Sequence, residues 1–162
     1  MSKRVADVLI ETLQAAGVER CYGIVGDTLN QIAHAIDRSA IQWVHMRHEE
    51  AGAFAAGAEA QLTGRLTACA GSCGPGSLHF INGLYEANRN HAPVILIASQ
   101  ILRQDLGFES IQEVDFVDVY RLHCLLRDDP YAGAGPPQDR RGLPGGADET
   151  GRRRPRRASR CR

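Results

Sequence analysis

Apolar and polar positions alternate along the first hundred residues with two periods, and the period changes at short polar or glycine breaks. Val5, Val8/Leu9, Thr12/Leu13 and Ala16 recur at helical spacing, with Gly17 following as a C-cap. Residues 20–25 (RCYGIV) read as a short buried strand that ends at Gly26-Asp27. Leu29, Ile32/Ala33 and Ile36 form a second helical stripe ending near Arg38, and residues 41–46 (IQWVHM) form a second strand. The alanine-rich stretch 49–63 is helix-forming and closes at Gly64. A third strand at 66–70 (LTACA) leads into the loop GSCGPG at 71–76. Ser77 is placed to cap a helix carrying Leu78, Ile81, Leu84/Tyr85 and Asn88, and Pro93 precedes the wholly apolar strand Val94–Ala98.

Four strands, each separated from the next by a helix, predict an α/β fold: a parallel sheet with helices on both faces. Ligands of such sheets sit beyond the carboxyl ends of the strands. Four segments therefore meet at one rim: Gly26-Asp27, residues 47–50, residues 71–76 and residues 99–112. Trp43 and Tyr85 fall on apolar faces and are expected in the core.

Charge divides the chain. Residues 1–124 carry nine Lys/Arg and fourteen Asp/Glu, a balance of −5, while residues 125–162 carry ten Arg and five acids, a balance of +5. The second segment also holds five of the seven prolines and has no Val, Ile, Phe or Met, so it cannot supply a core face. A globular body (1–124) and an Arg/Gly/Pro-rich, disordered tail (125–162) are expected. No apolar run reaches the roughly 18 residues of a membrane span, and the start MSKRVADVLIETLQAAG is wrong for a secretory signal, so a cytoplasmic address is expected. Five cysteines at irregular spacing argue against a disulfide framework. Cys69 and Cys73 stand four apart without a matching second pair, so no metal site is expected.

Glu49 and Glu50 open a helix directly after a strand. The positive end of the helix dipole explains an acid there without further help. A carboxyl group set into an apolar rim to exchange a proton explains it too. The two acids lie about 100° apart around the helix, so at most one is buried. GSCGPG has neither the G-x-G-x-x-G order of a dinucleotide site nor a Gly-Lys-Ser/Thr; close backbone approach to a flat ligand accounts for its glycines and proline. His48, His79 and His91 have no triad order or paired-ligand spacing and read as structural. RRRPRR at 152–157 has no interleaved aromatic, and the body is acidic, which argues against nucleic acid.

Residues 47–98, RHEEAGAFAAGAEAQLTGRLTACAGSCGPGSLHFINGLYEANRNHAPVILIA, closely resemble the pyrimidine-binding (PYR) domain of thiamine diphosphate-dependent enzymes, and the likeness extends over about residues 4–124. The form HEE…GSCGPG…INGLYEANRNHAPV is most similar to the pyruvate oxidase and pyruvate:quinone dehydrogenase branch; acetolactate synthases, with HEQ, are near cousins. The resemblance implies that Glu49 hydrogen-bonds the cofactor's pyrimidine nitrogen and so promotes loss of the thiazolium C2 proton. It implies that Val25, Gly26, Ser72, Cys73, Gly74, Pro75 and Gly76 wrap the pyrimidine. Ile111-Gln112-Glu113 matches a family Phe-Gln-Glu, with Ile111 where an aromatic is usual. The diphosphate, Mg²⁺ and FAD of the parent enzymes belong to further domains, so this chain is expected to supply the pyrimidine half only and to be inactive alone. A homo-oligomer, or a hetero-dimer with a full-length relative, is the implied assembly. A non-catalytic partner-binding module is the alternative from another class.

The family pattern stops near Cys124, where the composition also changes. A one-base shift of reading frame explains both: back-translated and shifted, residues 142–157 become a helix followed by an apolar strand. On that expectation the tail is unselected, and the body, lacking its last helix and strand, exposes apolar sheet surface.

Overall fold

The computed structural model describes residues 3–122. The expected tail at 125–162, with RRRPRR and the frame-shift reading, lies outside the described residues.

Four parallel strands, β1 (Arg20–Gly23), β2 (Gln42–His45), β3 (Thr67–Gly71) and β4 (Val94–Ala98), form one sheet in the order β2-β1-β3-β4. Cys21 stands in register with Trp43 on one side and Ala68 on the other, and Ala68 with Ile95. Helices α1 (Val5–Ala15), α2 (Asn30–Asp37), α3 (Glu49–Thr63), α4 (Pro75–Leu78), α5 (Ile81–Arg89) and α6 (Phe116–Leu122) complete the described chain. The parallel α/β sheet with helices on both faces is as the periodicity predicts. Among the described residues, no helix is long and apolar enough to cross a membrane.

Alternation along the central strands feeds two cores. Ala68 and Ala70, with Ile95 and Ile97, face α1 and α2 and pack with Ile10, Leu13, Leu29 and Ile36. Cys69, with Leu96 and Ala98, faces the opposite side and packs with Ala53, Ala56, Phe80, Leu84 and Tyr120. All of β3 is buried, as a central parallel strand covered on both faces must be. Its one buried hydroxyl is satisfied, since Thr67 Oγ1 donates to the Ala56 carbonyl at 2.9 Å and ties strand to helix.

The helix ends follow the sequence. Gly17 takes φ +89°, and the Val18 N–H returns to the Leu13 carbonyl at 3.0 Å, closing α1. Three expectations are corrected. The buried stripe of α1 is Ala6, Ile10 and Leu13, leaving Val5 86% exposed, because the sheet lies under the neighbouring face. Ser77 is not a cap, and the helix expected through Leu78 and Asn88 is two: α4 begins at Pro75, whose missing N–H fits that position, and stops at Leu78, while Ile81, Leu84, Tyr85 and Asn88 lie in α5. The Ser77 hydroxyl is buried and donates to the Ser72 carbonyl at 2.8 Å. Tyr85 is 42% exposed and lies outside both cores, since Leu84 occupies the inner position. Trp43 is partly buried against the α1/α2 core.

Candidate functional site

The carboxyl ends of parallel strands gather at one edge, and hydrogen bonds join the segments that follow them. After β2 the chain runs through an extended His48 into α3. The His48 ring Nδ1 accepts the Glu50 N–H at 3.2 Å, capping the first turn. Glu49 and Glu50 both stand in that turn, where the helix dipole favours negative charge.

Their side chains part as the 100° spacing requires. Glu50 accepts from Asn82 Nδ2 at 2.7 Å and keeps 36% of its side chain exposed. Glu49 is only 13% exposed, and its Oε2 lies 3.0 Å from His79 Nδ1. Its Oε1 stands 3.4 Å from the point a Cβ on Gly76 would occupy. Residue 76 being glycine leaves that oxygen uncovered toward the loop.

The loop after β3 is held from two sides. Gly74 has φ +67°, and a Cβ there would stand 2.6 Å from the Gln112 Cβ, so only glycine fits. Gln112 itself has φ +65°, a strained position for a side-chain-bearing residue. Gln112 Oε1 lies 3.7 Å from Cys73 Sγ, and Cys73 is buried. On the other side a Cβ on Gly26 would stand 2.6 Å from the Ser72 Cβ, so the loops after β1 and β3 touch backbone to side chain.

Of the sequence-predicted residues, Glu49 and Gly76 meet at the rim and Gly26 and Ser72 pack together. Cys73 and Gly74 turn toward the segment around Gln112. Pro75 is exposed at the start of α4, and Val25, 48% exposed, lines a separate cavity of about 390 Å³ with Ile36, Ile41 and Trp43. Ile111 is 87% exposed. Glu113 closes its own loop by accepting the Gly107 N–H at 2.6 Å and the Ser110 N–H at 3.2 Å.

Sequence reasoning missed the histidines. His79, read as structural, lies against Glu49, and its ring stacks on His48 with centroids 4.7 Å apart and planes 22° apart. Thirty residues separate His79 from Glu49, so no local spacing marks the pair. The available signal was topological, since Glu49 opens the helix after β2 and His79 ends the short helix after β3, both at the same sheet edge. Donor atoms of His48, Glu49 and His79 fall within 4.8 Å of one another. However, the His48 Nδ1 lone pair is spent on the helix cap. The two rings stack, so their in-plane lone pairs run along near-parallel planes.

A parallel sheet whose rim presents a largely buried carboxylate beside a glycine loop is that of an α/β cofactor-binding domain. The chain belongs to the family described as thiamine pyrophosphate enzyme, N-terminal TPP binding domain, which matches residues 3–119. It is 53% identical over 131 residues to an uncharacterized 42.6 kDa protein in the isoamylase 3' region of Pseudomonas amyloderamosa, covering 78% of this chain and 33% of that protein. It is 40% identical over 114 residues to the pyruvate oxidase of Lactiplantibacillus plantarum, covering 69% of this chain and 19% of the oxidase. It is 35% identical over 117 residues to acetolactate synthase 3 of Brassica napus, covering 72% and 18%. The chain thus spans a third or less of the length of these relatives.

Proposed function

We propose that residues 3–119 form the pyrimidine half-site of a pyruvate oxidase-like thiamine diphosphate enzyme that decarboxylates a 2-oxo acid. The observation that carries this reading is the Glu49 carboxylate, 13% exposed at the start of α3, with one oxygen at His79 and the other facing the glycine at 76. Residue 76 puts no side chain over that oxygen, which fits a hydrogen bond with a flat nitrogen heterocycle such as a pyrimidine. Bound thiamine diphosphate supplies the carbanion chemistry of decarboxylation. Glu49 then holds the proton at the pyrimidine nitrogen, oriented by the helix below it and by His79 beside it. Val25, Gly26, Ser72, Cys73, Gly74, Pro75 and Gly76 shape the wall of the half-site.

The oxidase reading is preferred to an acetolactate synthase-like one by the HEE form of the motif and by 40% against 35% identity. In this reading the diphosphate, Mg²⁺ and FAD are held by parts of the relatives outside the matched third. The homo-oligomer belongs to the parent enzymes in this reading, and this chain works by pairing with a full-length relative.

Ligand-observed NMR with thiamine diphosphate tests the half-site. Saturation should transfer to the pyrimidine methyl and ring protons rather than to the diphosphate arm. Glu49→Gln should weaken binding about tenfold, the size of one hydrogen bond to a charged group. Transfer confined to the diphosphate arm, or equal binding by Glu49→Gln, would overturn the assignment.

A further inference from the structure

Three strand-end loops meet on one hydroxyl. Thr28, in the 3₁₀ turn Asp27–Leu29 after β1, has its Oγ1 2.9 Å from Ser72 Oγ, 2.9 Å from Ser99 Oγ and 3.0 Å from the Cys73 backbone nitrogen. Ser72 and Cys73 follow β3, and Ser99 follows β4.

The proton directions are determined by elimination. The Ser99 hydroxyl lies 2.7 Å from the Gly71 carbonyl, which can only accept, so Ser99 spends its single proton there. Thr28 must therefore donate to Ser99. Its own proton being spent, Thr28 accepts from Ser72 and from the Cys73 N–H. One donation and two acceptances exhaust a hydroxyl. The chain Ser72→Thr28→Ser99→Gly71 carbonyl is directional, with Asp27 Oδ1 at 3.5 Å a longer second acceptor for the Ser72 proton, and it ties the loops after β1, β3 and β4 to the end of β3.

We propose that Thr28 is the positioning residue of the rim, its hydroxyl setting where the backbone at 72–76 stands. The consequence for cofactor placement rests on the half-site reading above; the loop's position does not. Without the Thr28 hydroxyl, two serine hydroxyls and one amide lose a partner at once, and the loop moves to recover them. Cys73 reports that movement, because it is buried within the loop and is alkylated only when the loop opens.

The test is iodoacetamide labelling of the full chain, with peptide mapping to separate Cys73 from the other four cysteines. Thr28→Val keeps the branched shape and should raise the Cys73 rate about tenfold, whereas Thr28→Ser should stay within about twofold of the parent. Cys21 and Cys69, buried in the strands, should keep their rates in both variants. An unchanged Cys73 rate in Thr28→Val, or an equal rise at Cys21 and Cys69, would overturn the proposal. Should Thr28→Val fail to fold, Thr28→Ala decides: it removes the same hydroxyl without adding a methyl among its partners, and an unchanged Cys73 rate there would overturn the proposal equally. Loss of thiamine diphosphate binding in the parent chain would sink the half-site reading and leave the thiol result standing.

Discussion

On the α1/α2 face of the sheet the core is built from branched aliphatic side chains, Ile10, Leu13, Leu29, Ile36 and Ile41 among them. On the opposite face α3 buries Gly52, Ala53, Ala56, Gly57 and Ala60, and α5 meets it with Gly83, Leu84 and Ala87. The first face is filled by side chains that can adjust their rotamers. On the second, the α3/α5 contact brings backbone close to backbone, and Phe80 is the large, fully buried side chain beside it. The difference bears on function because α3 carries Glu49 at its first position. A helix seated on glycine and alanine has few ways to shift, and neither has the carboxylate at its end.

The largest expected effect is at Phe80. Phe80 is fully buried, and Cβ atoms on Gly71 and Gly52 would stand 2.6 and 3.5 Å from its ring. Phe80→Ala should therefore remove about 4 kcal/mol in urea unfolding, since those neighbours have no side chains with which to fill the cavity. A loss below about 1 kcal/mol would show a face as adaptable as its counterpart.

The glycines between α3 and α5 sharpen the contrast further. A Cβ on Gly83 would stand 2.5 Å from the Ala53 Cβ and 2.7 Å from the Phe54 nitrogen, so backbone must move. A Cβ on Gly57 would stand 3.4 Å from the Ala87 Cβ, an ordinary contact. Gly83→Ala should cost about 2 kcal/mol, whereas Gly57→Ala should be neutral or gain about 0.5 kcal/mol from helix propensity. Equal effects in thermal melts would mean that the interface shifts freely.

The smallest effect is expected in alkali. Burial pushes the Cys21 thiol up to about 12 from an ordinary 9.0. Burial, followed by the hydrogen bond from its hydroxyl to Glu59, pushes Tyr22 up to about 12 from 10.0. Both groups hold their protons more tightly folded than unfolded. Their contribution is thus complete below pH 9 to 10 and is lost as pH rises toward 12. The melting temperature should fall from pH 9 to 11, and Tyr22→Phe should fall less steeply. Identical slopes would remove Tyr22 from the account.

The sheet and its helices were legible because each segment keeps one period and ends at a short polar, glycine or proline break. α3 runs from Glu49 to Thr63 with Gly64 beyond it, as its composition indicates. What escaped was set by tertiary packing. Val5 and Val8 fit the helical period of α1 as well as Ala6 and Ile10 do, and only the sheet decides which pair is covered. Tyr85 lost the inner position to Leu84 in the same way. At the site, local spacing indicated that at most one of Glu49 and Glu50 is buried, and the family resemblance, not the spacing, singled out Glu49 and the glycine loop. The contacts of His79 and Thr28 were legible in neither, because their partners lie 30 to 71 residues away and meet only when the strands are ordered.

The glycines of the α3/α5 contact also bear on how this chain can vary. Every replacement of a glycine adds atoms, so at Gly83, where a Cβ already collides with backbone, all nineteen alternatives act in the same direction. Sequence drift should then flow around α3 rather than through it. Substitutions should accumulate on the outward residues Phe54 and Leu62, 40% and 87% exposed, while the inner stripe stays fixed.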